Sequence, residues 1–108
     1  MSYDVWMEAD LGGPEPVAVE LLEINYTYNV SKMFSAAIGE TPSKWNGKPA
    51  SEVREACLKI LAAFEADPAK FQAMNPENGW GDFDGARNFI RSISDACQKA
   101  PRAIVRVG

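Results

Sequence analysis

In the stretch Ile24-Asn25-Tyr26-Thr27-Tyr28-Asn29-Val30-Ser31, the polar residues Asn25, Thr27 and Asn29 alternate with apolar neighbours. Side chains of an extended strand alternate between faces. Ile24, Tyr26 and Tyr28 would therefore share one face, and the polar residues the other. Amides and hydroxyls carry donors and acceptors together, which suits a sugar, a nucleobase edge or a peptide backbone. The competing reading is structural: Asn29 and Ser31 cap a following helix and Asn25 satisfies nearby loop backbone. A second segment, Gly79-Trp80-Gly81-Asp82-Phe83-Asp84-Gly85, brackets an aromatic with glycines and sets Asp82 and Asp84 beside a helix start. It could be a ligand loop, a metal loop or an acid–base pair. Alternatively, Asp82 caps the helix and Trp80 lies as a lid over the core. An EF-hand does not fit. Asp84 at its fifth position puts Trp80 at the first and Arg91 at the twelfth, where oxygens are required. Trp45, next to the turn signal Asn46-Gly47, is either a binding hot spot or folded back on the core.

The residues the chain lacks narrow the chemistry further. It has no histidine, which removes Ser-His and Cys-His triads and leaves too few ligands for zinc. No catalytic motif is recognisable, so the expectation leans away from an enzyme, with no catalytic residue, metal site or cofactor. Cys57 and Cys97 fall on apolar helical faces and read as buried, reduced thiols, with a disulfide as the minor alternative. The net charge of −4 argues against non-specific nucleic-acid binding. From Asp4 to Glu23 every charge is negative: Asp4, Glu8, Asp10, Glu15, Glu20 and Glu23. From Arg87 onward only Asp95 opposes Arg87, Arg91, Lys99, Arg102 and Arg106. Either the acidic end meets a basic partner or mimics nucleic acid, or the two chain ends neutralise each other across strands. The second reading places Arg102 and Arg106 near some of Asp4, Glu8, Glu20 and Glu23. No apolar run approaches membrane-spanning length. The first residues lack the basic start and apolar block of a secretory signal. The expected location is the cytoplasm, away from membranes.

The elements that must hold these residues follow from periodicity and breakers. Tyr3 to Ala9 alternates as a strand, with Trp6 interrupting its polar face. Leu11 to Pro16 is a breaker-rich turn suited to a loose hairpin. Val17 to Tyr28 is a long strand in which Val17, Val19 and Leu21 are in phase and Leu22, Ile24, Tyr26 and Tyr28 then take over, which predicts a bulge near Leu21-Leu22 or burial on both faces there. Lys32 to Ile38 predicts a short helix with Ser31 as its N-cap and Gly39 as its stop. Thr41 to Pro49 reads as loop. Helical spacing predicts a helix over 50–66, a further turn from Pro68, and a last helix over 83–99 capped by Asp82. Ala103 to Val107 is a closing strand. Strands at both ends with helices between imply a single α+β domain over 1–108. Its small antiparallel or mixed sheet would have about three strands, with helices on one face.

The strand end Asn25, Thr27-Tyr28-Asn29 and Ser31 resembles a motif of a family of small, uncharacterised phage and bacterial proteins. That family often has Pro where this chain has Lys32, and an aliphatic residue where it has Tyr26. The resemblance extends to Gly79-Trp80-Gly81-Asp82, Gly85-Ala86, Phe89-Ile90, Ala96-Cys97 and Pro101 through Val107, about half the chain. It implies the α+β fold and a phage, hence viral, or mobile-element origin. It implies an accessory protein that binds a host factor, and supplies no catalytic residues. The resulting expectation is a non-enzymatic binding protein with a protein partner, using Asn25, Thr27, Asn29, Trp45, Trp80 and Asp82. One alternative is a small ligand binder or carboxylate enzyme with a cleft near Asn25, Asn29, Trp80 and Asp82. Another is a structural accessory subunit that works as a homo-oligomer.

Overall fold

A computed structural model describes residues 2–108, apart from the side chains of Glu20 and Leu21. Strands β1 (Ser2–Ala9) and β2 (Val17–Thr27) form a hairpin. A 3-10 turn (Tyr28–Val30) then leads into α1 (Ser31–Ile38). A second 3-10 turn (Pro42–Trp45) precedes α2 (Ala50–Ala66), α3 (Pro68–Gln72), α4 (Phe83–Lys99) and β3 (Ile104–Val107). The sheet is antiparallel in the order β2-β1-β3. The two chain ends therefore pair directly, and the first strand is the central one.

The alternation of β1 decides which sheet face is covered. Tyr3, Val5 and Met7 are buried under the helices, while Asp4 is exposed and Trp6 and Glu8 are half-buried on the opposite face. The register jumps between Trp6, paired with Glu23, and Met7, paired with Val19. The extra β2 residues form the expected bulge. It lets both Val19 and Leu22 serve the core although they are out of phase with each other. The expected burial phase of Leu21 lies outside the described side chains. The aromatic part of the core runs through Phe34, Phe64, Phe71 and Phe83, with Phe64 centroids 4.7 Å from Phe71 and 5.1 Å from Phe83.

Helix bounds follow local chemistry. Gly39 ends α1 in the left-handed region (φ 76°) and donates its N–H to Ser35 O. Asp67 accepts from Lys70 N at the start of α3. Cys57 on α2 and Cys97 on α4 are buried free thiols on helices that pack together. Burial pushes the Cys97 thiol up to about 11 and raises Cys57 beyond the usual thiol range. Among the described residues no helix is long and apolar enough to cross a membrane.

Three local expectations are corrected. Tyr28 leaves the strand for the 3-10 turn. Ser31 does not cap α1, whose N-cap position is Val30 without a side-chain bond; Thr27 instead caps the preceding 3-10 turn, accepting from Asn29 N, because the chain begins to coil one turn early. Ser31 is already helical; its hydroxyl donates to Tyr28 O at 2.6 Å and meets the Tyr3 hydroxyl. The stretch from Thr41 to Pro49 is only partly loop, since Pro42 pre-sets a 3-10 turn. Of the terminal ion pairs, Arg106 meets Glu8 at 2.9 Å, whereas Arg102 has no ion-pair partner among the described residues. Any pairing of Glu20 lies outside the described side chains.

Candidate functional site

Tyr26 builds the site. It belongs to the core phase of β2, so its hydroxyl must find a partner when its ring packs inward. The hydroxyl accepts from Asp82 N at 2.9 Å and donates to Asp82 O at 3.3 Å. The ring stacks on Phe89 of α4, centroids 5.7 Å apart. A methyl group on Gly85 would overlap the Tyr26 hydroxyl, and one on Gly81 would lie 2.5 Å from Thr27 Cγ2. Those two glycines thus let the start of α4 close on the strand end. The Gly79–Gly85 segment is in this respect a cradle for Tyr26.

The same contacts fix the loop before α4. Asp82 accepts from Gly85 N at 2.7 Å as the helix cap, as the sequence suggests. Asn75 accepts from Phe83 N at 2.9 Å, and Asn78 from Trp80 N at 2.9 Å. Held at its base, the loop presents Trp80 outward, 68% exposed. The expected lid over the core is therefore corrected.

Trp80 and Gly81 form one lip of a shallow groove of about 440 Å³, whose floor and far side include Asn25, Tyr26, Thr27 and Asn29. Sequence residues more than fifty positions apart meet here. Asn25 is exposed on the open sheet face and makes no hydrogen bond to a described residue. Asn29 donates its amide to Thr27 Oγ1 at 3.0 Å, which leaves its carbonyl oxygen available. The groove offers an indole face, amide donors and acceptors, and no carboxylate. Asp82 and Asp84 both border a neighbouring hollow with Asn75 and Phe83; the Asp82 carboxylate is engaged by the cap. Asp84 is ion-paired with Arg87 at 3.1 Å. Neither aspartate lines the Trp80 groove. Among the described residues, no group of three or more His, Cys, Asp or Glu side chains could hold a metal ion.

Trp45 takes no part. It is 1% exposed, and its indole N–H donates to Glu40 Oε2 at 2.9 Å. The hot-spot expectation for this residue is corrected: its 3-10 turn folds it under α2, and its polar end is satisfied there. Sequence reasoning missed Tyr26 and Asn75 as loop anchors. The available signal was a core-phase tyrosine at a strand end, whose hydroxyl needs a partner.

On the open sheet face, Trp6 faces Glu23 on one side and Arg106 on the other. Its indole N–H donates to Glu8 Oε2 at 3.4 Å. The Arg106 guanidinium, and then the Trp6 indole, hold the Glu8 carboxyl below its usual range.

Comparison of the chain with family models, with curated proteins and with solved structures gives no match.

Proposed function

We propose that this is a non-enzymatic binding protein, a phage or mobile-element accessory protein that holds a host protein through the Trp80 groove. One observation carries the reading: a tryptophan 68% exposed on a loop braced at its base, beside the solvent-facing amide of Asn25. A large rigid aromatic exposed to water gains by burial against a partner, and tryptophan is enriched among residues that dominate protein interfaces. The uncharged amides beside it suit a peptide backbone. The host target and the mobile origin are supported by the resemblance of the Asn25–Ser31 and Gly79–Asp82 motifs, which is an analogy. The enzyme alternative is weaker, because Asp82 and Asp84 are engaged in a helix cap and an ion pair and no carboxylate lines the groove itself.

Affinity capture from host lysate with the wild-type chain, Trp80→Ala and Asn25→Ala, read by mass spectrometry, tests the proposal. The expected result is a protein retained by the wild type and lost from Trp80→Ala, with thermal stability unchanged. Identical capture by all three chains, or loss only in step with unfolding, would refute it.

A further inference from the structure

The two edges of the sheet differ. The outer edge of β3 is closed: Gly47 N donates to Val105 O at 2.8 Å, Val105 N to Lys48 O at 2.9 Å, and Val107 N to Asn46 Oδ1 at 3.1 Å. The outer edge of β2 is open. Among the described residues, no backbone group of Val17–Thr27 bonds to backbone other than that of β1. Asp4 and Gly108 exchange both backbone hydrogen bonds, at 3.1 and 2.9 Å, so Asp4 and Trp6 turn their backbone groups toward β3. By the same alternation, Tyr3 and Val5 bond Tyr26 and Ile24, and the N–H and C=O groups of Glu23 and Asn25 point out of the sheet.

The open face beside this edge has its own chemistry. Asp4, Trp6, Leu22, Glu23 and Asn25 line a hollow of about 770 Å³ next to the bulge. Arg106, which shares this face, is taken by Glu8. Among the described residues, Asp4 and Glu23 have no cationic partner within 4.0 Å. Asn25 lines this hollow and the Trp80 groove alike, so the two are one continuous surface along β2.

We infer that the β2 edge takes an extended basic segment of the partner protein as a fourth strand, with Lys or Arg side chains over Trp6 between Asp4 and Glu23. This rests on the protein-binding reading and names the partner's chemistry. Main-chain pairing would hold the segment, and alternate side chains would be read on the open face. Strands lie roughly 4.8 Å apart, so a long side chain opposite Glu23 reaches across β2 to the Trp6 ring. There it gains both carboxylates and the indole face. Charge excludes the other occupants. A second copy paired through β2 would bring only Glu23, Asn25 and Thr27 to the open face beside this edge, and so no cation for Asp4 or Glu23. Nucleic acid would be repelled.

The probe is a synthetic peptide of about nine residues, strand length, alternating Lys and Val, titrated into the full chain by calorimetry with amide-shift mapping. Binding is expected with shifts at Trp6 and residues 22–27. It should weaken about tenfold in Glu23→Lys, where like charges now face each other, and with added salt. Glu23→Gln, which keeps the side chain's size, should show a smaller loss and covers the case in which Glu23→Lys misfolds. The peptide with alternate backbone amides N-methylated should bind about tenfold more weakly, having lost ladder donors. The same peptide with Glu for Lys should not bind. Undiminished binding of the N-methylated peptide would overturn the inference, because charge alone would then suffice. Sedimentation showing a dimer through β2 would overturn it in favour of a second copy. If the Lys peptide does not bind while Trp80-dependent capture persists, this inference alone falls. If that capture fails as well, the protein-binding reading falls with it.

Discussion

Trp45 and Trp80 each sit in a glycine-containing loop between two helices, yet one is 1% exposed and the other 68%. The glycines behave alike: Gly47, Gly79 and Gly81 all take positive φ, at 84°, 75° and 91°. The difference lies in what the loop backbone bonds. Residues 46–48 are laced to β3 along its outer edge, and this draws the preceding turn, with Trp45, under the helices. Residues 75–82 are clamped at their base by Asn75, Tyr26 and the cap of α4, and the tip bonds only within the loop among the described residues. A loop whose polar groups complete a sheet buries its aromatic. A loop clamped only at its base displays it.

That contrast is testable first where the effect is largest. Trp45→Ala should destabilise the chain by about 3–5 kcal/mol, through a core cavity and an orphaned Glu40 contact. Chemical denaturation measures it; a cost under about 1 kcal/mol would mean the site relaxes and the first loop is not tightly laced. Asp82→Ala comes next, at about 0.5–2 kcal/mol for a lost helix cap. Hydrogen exchange in that variant should rise in residues 80–86 and stay unchanged in residues 46–48. Asn46→Ala should be milder, about 0.5–1.5 kcal/mol for one side-chain bond to the edge strand. Faster exchange of the Val107 amide is its signature, and an unchanged rate would show that Asn46 does not hold that edge.

The divergence of the two loops also marks the limit of what was legible in the chain. Helices α2 and α4 were readable to their ends, because apolar spacing and the breakers Asp67-Pro68 and Pro101 act within a few residues. The Asp82 cap and the bulge were readable for the same reason: one is a short-range bond, the other a flip in alternation. Opposed charges at the two ends pointed to the pairing of β1 with β3, and Arg106 with Glu8 bears that out. The fates of the tryptophans were not readable. They depend on Asn46 meeting Val107 and Tyr26 meeting Asp82, contacts 61 and 56 residues apart. Local pattern holds no record of such pairings. Ser31 failed differently: it is a good cap residue, but Thr27 starts the turn first and leaves it inside the helix.

The smallest expected effect on stability carries the most weight for function. Trp80→Ala removes an exposed indole that makes no hydrogen bond among the described residues; the backbone N–H of the residue bonds to Asn78, and alanine keeps that bond. Its cost should stay within about 0.5 kcal/mol, the range of surface substitutions remote from core, cap or strain. The two neighbouring glycines, which do need their conformations, are untouched. Trp80 fluorescence can be isolated in a Trp6→Phe chain, because Trp45 is buried and bonded and should emit at shorter wavelength than a solvated indole. Added acrylamide should therefore quench Trp80 far more than Trp45. A destabilisation above about 1.5 kcal/mol, or quenching equal at both sites, would mean that Trp80 packs against the body after all. The two loops would then differ in degree only, and the exposed indole would no longer mark a docking point.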